Sequence, residues 1–167
     1  MLGRAGRPQF DDSAVAVIMT RKEKAAHYEK MVSGREILES CLHLNLIDHL
    51  NAEIGLGTVT DVHTAKRWLM GTFFYVRLQR NPNHYRLAGD VGGNSLDERL
   101  EHICSRDISL LSAYNLVSDD SQLKSTEFGD AMARYYLQFD TMKVLLGLPR
   151  RAKLSEIVSY MMTPASL

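Results

Sequence analysis

From Glu36 onward, apolar residues recur at spacings of three and four, and several of the runs are cut by glycine or proline. Leu42, Leu46, Ile47, Leu50 and Ile54 share one face of a helix that begins in the run opened by Glu36, with Asp48, Asn51 and Glu53 mostly off that face. Gly55 and Gly57 stop it, Thr58-Val59 offers a short strand, and Thr60 or Asp61 caps the next helix. Val62, Ala65, Leu69, Phe73 and Val76 continue the helical period up to Asn81-Pro82, with Gly71 placed to divide the stretch into two helices at an angle. Ser95-Leu-Asp-Glu98 reads as a capping box that opens a helix through Leu100 and Ile103. Asn115 to Lys124 reads as a β-hairpin around Ser118-Asp-Asp-Ser121. Phe128, Met132, Tyr135, Tyr136 and Phe139 mark a further helix capped by Ser125 or Thr126, and Gly147-Leu-Pro149 ends the helical material after Asp140. Arg150-Arg-Ala-Lys153 leads into a last helix carrying Leu154, Ile157, Val158 and Met161 on one side. This order of elements predicts a mainly α chain: a winged-helix module with helical additions.

The first 35 residues read differently. Arg4 and Arg7 lie three apart, and each follows a glycine, Gly3 or Gly6. A guanidinium forks onto phosphate oxygens, and glycine lets the backbone approach closely enough for the fork to reach. Ser13 to Thr20 is a β-branched apolar run that predicts a buried strand, yet no partner strand is in sight. Arg21 to Met31 predicts a charged helix closed by Ser33-Gly34. A loop, a strand and a helix cannot close a core, so the segment reads as the edge of a larger α/β domain.

Lysine plus arginine equals aspartate plus glutamate at 20 each, so the overall charge advertises neither a nucleic-acid nor a membrane surface. The distribution is uneven: seven basic and four acidic residues in 1–35, three and nine in 90–130, five and two in 131–167. An anionic partner is therefore expected at the ends rather than the middle. No apolar run reaches the ~20 residues that span a bilayer. Two cysteines give no disulfide framework, and there is no signal-peptide pattern, which points to a reducing intracellular compartment. Cys41-x-His43 and His102-x-Cys104 invite a zinc reading, but residues two apart on a helix diverge by about 200°, so no metal site is expected. The basic and aromatic stretch of Lys66, Arg67, Trp68, Arg77, Arg80, Tyr85 and Arg86 offers a candidate nucleic-acid surface through its basic residues, while Trp68, Phe73 and Phe74 lie at core-compatible spacings and packing is the favoured reading for the rings. Ala88 to Asn94 is the candidate mobile insertion.

Gly3-Arg-Ala-Gly-Arg-Pro8 with Asp11 resembles motif VI of superfamily-two helicases, in the form used by their Ski-two-like branch. Glu39-Ser-Cys-Leu-His-Leu44, Ile47-Asp-His-Leu-Asn-Ala-Glu-Ile54, Trp68-Leu, Phe74-Tyr-Val-Arg77 and Asn81-Pro-x-x-Tyr85 resemble the winged-helix domain that follows the second motor domain in that branch, most of all in its meiotic crossover DNA helicases. The resemblance implies three parts. Residues 1–35 would be the C-terminal edge of a RecA-like α/β motor domain, 36–139 the winged-helix domain, and 140–167 a linker with the first helix of a ratchet domain.

It also implies an ATP-dependent motor moving 3′ to 5′ along DNA in the nucleus, with Arg7 as arginine finger, Arg4 its neighbour in γ-phosphate sensing, and Gly3 and Gly6 shaping the nucleotide loop. ATP and Mg²⁺ would be held mainly by residues this chain does not contain: it has neither a Gly-x-x-x-x-Gly-Lys-Ser/Thr loop nor an Asp-Glu-x-His box. The chain alone is therefore expected to be inactive, and its expected partners are single-stranded or branched DNA and the missing motor and ratchet domains. Two alternatives stand beside this reading: a segment of an RNA-remodelling helicase of the same branch, and a free-standing, non-catalytic winged helix that binds DNA or protein.

Overall fold

The computed structural model describes residues 5–7, 9–35, 37–85, 95–119, 121–149 and 151–162, which divide into two compact units, 1–38 and 39–167. Gly3, Arg4, Arg86, the 88–94 loop and Arg150 lie outside the described residues.

In the first unit a turn at Arg7 to Asp11 leads to α1 (Lys22–Val32). Helix α1 closes as the sequence predicts: Gly34 takes φ +66°, its N–H donates to the Met31 carbonyl, and Arg35 N–H donates to Lys30. The buried strand expected over 13–20 does not form. Val15, Val17 and Met19 are 88%, 77% and 93% exposed. A strand exists through hydrogen bonds to a neighbour, and among the described residues this segment has none.

The second unit is built on α2 (Leu46–Gly55), which packs against α5 (Leu96–Ala113), α6 (Glu127–Arg134) and the wing. Helical structure starts later than the periodicity suggests, with a 3₁₀ turn at Leu42–Leu44. Leu50, fully buried, is its centre, with Leu46 and Ile54 one turn to either side. A leucine side chain taken out of water contributes about 1.5–3 kcal/mol, so this stripe anchors the core. Gly57, at φ +75°, ends the helix in the same way that Gly34 ends α1.

Asp61 caps α3 (Val62–Met70), accepting from Thr64 N–H at 2.7 Å while the Thr64 hydroxyl takes the Asp61 N–H at 3.0 Å. The break at Gly71 starts α4 (Phe73–Arg80) with Thr72 as its cap. That break resets the helical phase. Phe74 and Leu78, four apart, become fully buried, while Phe73 and Val76, which continue the phase of α3, are 55% and 42% exposed. Ser95 and Glu98 close the predicted capping box on α5.

The wing pairs β1 (Val117–Asp119) with β2 (Leu123–Ser125) antiparallel, Ser118 opposite Lys124. Thr58-Val59 forms no strand, but Leu123 N–H donates to the Thr60 carbonyl at 2.9 Å and ties the wing to the loop before α3. Thr126 caps α6, which stops at Arg134 rather than running on to Phe139. Tyr136 swings into the left-handed region at φ +54°, leaving Tyr135 and Tyr136 exposed and letting α7 (Phe139–Leu146) start afresh with Phe139 in the core. Helix α8 (Leu154–Met162) packs on α7.

Gly129 is required where α6 meets the wing: a Cβ there would lie 2.2 Å from the Leu116 carbonyl oxygen. Beside it, the buried Asn51 side chain donates to the Gly129 carbonyl at 2.9 Å, pinning α6 to α2.

Candidate functional site

In the first unit, the loop around Arg7 closes on itself. Phe10 and Asp11 N–H both donate to the Arg7 carbonyl, at 2.9 and 2.8 Å, and the Asp11 carboxylate turns back to accept Arg7 N–H at 2.8 Å. The same carboxylate takes the guanidinium, from Nε at 3.2 Å and Nη2 at 3.4 Å. The Phe10 ring centre lies 5.3 Å from the guanidinium carbon. Gly6 adopts φ +81°, and a Cβ on it would stand 2.8 Å from Ala14 Cβ, so the loop can close only over glycine. Hydrogen bonds from Arg7 hold the Asp11 carboxyl below the usual aspartate range. The Arg7 side chain nevertheless stays 74% exposed. Chemically the arrangement is a fixed, always-charged fork presented to solvent, suited to an anionic oxygen brought from elsewhere. Gly3 and Arg4, the other two members of the predicted site, lie outside the described residues.

In the second unit, residues far apart in the sequence converge on Glu39. Glu39 receives Arg77 through two hydrogen bonds, Nε at 3.0 Å and Nη2 at 2.7 Å. Asn81 Nδ2 donates to the same carboxylate at 2.8 Å, and the Tyr85 hydroxyl at 2.6 Å. That hydroxyl in turn accepts Ser40 N–H at 2.9 Å. Arg77, Asn81 and Tyr85 stand four apart down α4 and the turn after it, so one face delivers all three. Their hydrogen bonds, those of Arg77 first, hold the Glu39 carboxyl far below the ordinary glutamate range. His43 packs between Phe74 and Tyr85, stacked on the first and edge-on to the second, and burial depresses its pKa.

The four candidates for a nucleic-acid surface therefore separate. Arg77 is committed to Glu39 and only 11% exposed. Lys66, 14% exposed, bridges α3 to α5 through Asp97 at 2.9 Å and Glu101 at 3.3 Å, and these carboxylates raise its pKa. Arg67 and Arg80 are exposed. Of the rings in that stretch, Tyr85 is buried in the core and Trp68 is packed against it, as the packing reading of the rings expects. The spacing of Arg77, Asn81 and Tyr85 was the available signal for a shared target, but nothing local in the sequence names Glu39 as that target.

A cavity of about 300 Å³ lies beside the start of α2, lined by His43, Asp48, Asp107, Phe139 and Lys143 among others. Its carboxylates serve the fold. Asp48 accepts Phe139 N–H at 2.8 Å and so caps α7 from a distance, while Asp107 is paired with Arg106 at 2.7 Å. Burial raises both aspartate pKa values.

Residues 39–118 match the family described as a winged helix-turn-helix domain. The chain is 42% identical over 161 residues, 95% of its length, to the human protein named probable ATP-dependent DNA helicase HFM1. It is 39% identical over 166 residues, 98% of its length, to the ATP-dependent DNA helicase MER3 of Saccharomyces cerevisiae. To human activating signal cointegrator 1 complex subunit 3 it is 37% identical over 147 residues, 86% of its length. The chain spans 11% of the human helicase, 14% of the yeast one and 7% of the cointegrator subunit. The match to the two helicases is therefore both closer and longer than the match to the cointegrator subunit.

Proposed function

The chain belongs with the HFM1 and MER3 ATP-dependent DNA helicases, as a homologue of one segment of them, and on that premise we propose that it supplies the arginine finger and the winged helix of a DNA motor acting in meiotic recombination in the nucleus. In this reading residues 1–35 are the edge of the second motor domain, 36–139 the winged helix, and 140–167 the lead into a ratchet domain. ATP and Mg²⁺ are held by the first motor domain, whose phosphate-binding motifs this chain lacks.

The observation that carries the proposal is the Arg7 side chain: charged at every working pH, fixed at its base by its own loop, and 74% exposed. Such a fork fits a γ-phosphate that another domain presents. As the bond to the leaving phosphate breaks, charge gathers on its oxygens, and a guanidinium already in place stabilises that charge without reorganising solvent. Gly6 lets the backbone turn tightly enough to project Arg7, and Gly3 and Arg4 are proposed as further nucleotide-binding residues from the motif alone. The winged helix contributes Arg67 and Arg80 toward a phosphate backbone, and Lys66 and Arg77 act there only by stiffening the helices that carry the other two.

The test is a hybrid in which this chain replaces the aligned segment of yeast MER3. DNA-stimulated ATP turnover is read with and without Arg7→Ala, and the aligned substitution in the yeast helicase itself is read in parallel. Arg7→Ala is expected to remove turnover while nucleotide binding persists. Normal turnover in both proteins sinks the assignment.

A further inference from the structure

We propose that Asp11 and Phe10 are positioning residues for Arg7, holding its guanidinium by one edge and one face so that the opposite edge meets a phosphate oxygen already oriented; this rests on Arg7 acting as the finger. The geometry begins in the backbone. Two N–H groups donate to the Arg7 carbonyl while Asp11 accepts the Arg7 N–H, so the turn is closed in both directions and the Asp11 side chain has one place to be.

From that place the carboxylate meets Nε and Nη2, the side edge of the guanidinium. Nη1 and the second hydrogen of Nη2 form the end edge, which is not part of this pairing. A guanidinium carries five N–H donors in a fixed plane, so one carboxylate and one phosphate oxygen can be served at the same time from different edges. Phe10, with its ring centre 5.3 Å from the guanidinium carbon, covers a face rather than an edge and blocks neither.

The consequence is kinetic. A free arginine has several rotatable bonds to freeze before it reaches a reacting phosphate, and a group displaced by about 1 Å loses on the order of 10²-fold in rate. Asp11 removes that search in advance. It never touches the nucleotide and acts only through Arg7.

The experiment uses the yeast MER3 hybrid and, alongside it, the yeast helicase with the aligned substitutions. Asp11→Asn keeps one acceptor for the Arg7 N–H but loses the charge and the two-oxygen grip. It is expected to lower kcat for ATP by about 10- to 100-fold with KM and nucleotide binding unchanged, and Phe10→Ala to lower it less. Asp12→Asn, on the neighbouring exposed carboxylate, leaves kcat unchanged. In the Arg7→Ala background, Asp11→Asn is expected to add no further loss. A further loss of similar size there overturns the proposal, since Asp11 would then act through something other than Arg7.

Wild-type kcat in Asp11→Asn, with Arg7→Ala inactive, also overturns it and leaves the finger standing. Wild-type kcat in Arg7→Ala removes the finger reading itself. On the isolated chain, NMR gives an independent measure: the Arg7 Nε–H resonance should move as Asp11 titrates below the usual aspartate range, and should lose that response in Asp11→Asn. A resonance indifferent to Asp11 contradicts the pairing.

Discussion

Among the described residues, two arginine–carboxylate pairs, Arg7–Asp11 and Arg77–Glu39, have similar geometry and opposite character. Arg7 and Asp11 are four residues apart, and the arginine is 74% exposed. Arg77 and Glu39 are 38 residues apart and only 11% and 17% exposed, with Asn81 and Tyr85 donating to the same carboxylate. An exposed pair is screened by water and contributes little to stability, so its arginine can engage a second anion without unfolding anything. The enclosed pair has no such freedom: Arg77, Asn81 and Tyr85 all donate to Glu39, and removing either partner of the ion pair strands an enclosed charge. Two guanidiniums with the same chemistry thus serve different ends, and enclosure decides which one is available to a ligand.

The strongest way to break this comparison is to remove each arginine. In the helicase hybrid, Arg7→Ala is expected to cost about 10³- to 10⁵-fold in ATP turnover, while the thermal unfolding of the isolated chain stays unchanged. Arg77→Ala is expected to do the reverse, lowering the unfolding midpoint of residues 39–167 while the protein that remains folded still turns over. A comparable control on packing alone is Gly129→Ala. Its Cβ would fall 2.2 Å from a backbone oxygen, and overpacking of this kind costs about 1–3 kcal/mol, occasionally more, read as a drop in the denaturant midpoint with no change around Arg7.

Acid sharpens the contrast. Glu39 is held ionised in the folded protein, so its contribution is complete above the unfolded value of about 4.3 and is lost as pH falls through the lower folded value. Asp48 and Asp107, raised by burial, run in the opposite sense: their ionised forms oppose folding at neutral pH, and that opposition is relieved on acidification. Glu39→Gln should therefore lower stability at pH 7, and its stability curve should converge with the wild-type curve below about pH 4.3, measured by denaturant titration at each pH. Parallel curves would deny the enclosed pair its role. The smallest expected effect lies at the surface. Arg67→Ala and Arg80→Ala should each weaken DNA binding by the hybrid modestly and reduce its salt slope by about 1, whereas Lys66→Ala should act through the stability of the α3–α5 contact.

The parts of this architecture legible in the sequence are those set by neighbours in the chain. Ser95 with Glu98, Asp61, Thr126, Gly34 and Gly57 start and stop helices where their local chemistry predicts, because a cap needs only a side chain and the backbone beside it. The Gly71 break is also legible, but not its effect on phase: the spacing allows both Phe73 and Phe74 in the core, and only Phe74 takes that place. The helical period runs through Tyr136, and nothing in its residue type announces the left-handed backbone found there; Phe139, beyond that bend, lies in the core. Ser13 to Thr20 has the composition of a strand, and composition cannot supply a partner.

At the candidate site, Gly6 and Arg7 stand out by residue type and spacing. The Glu39 cluster does not, since a carboxylate finds its arginine 38 residues later only through the fold. Packing is the expected place for the Tyr85 ring; what the fold adds is its hydroxyl, which faces inward and donates to Glu39.

The most direct test is a paired measurement of DNA-stimulated ATP turnover and nucleotide binding in the yeast MER3 hybrid carrying Arg7→Ala beside the same hybrid carrying Arg77→Ala. The account predicts that Arg7→Ala binds ATP and does not turn it over, while Arg77→Ala turns over in proportion to the fraction that folds. Full turnover with Arg7→Ala, or loss of turnover in fully folded Arg77→Ala, would contradict it.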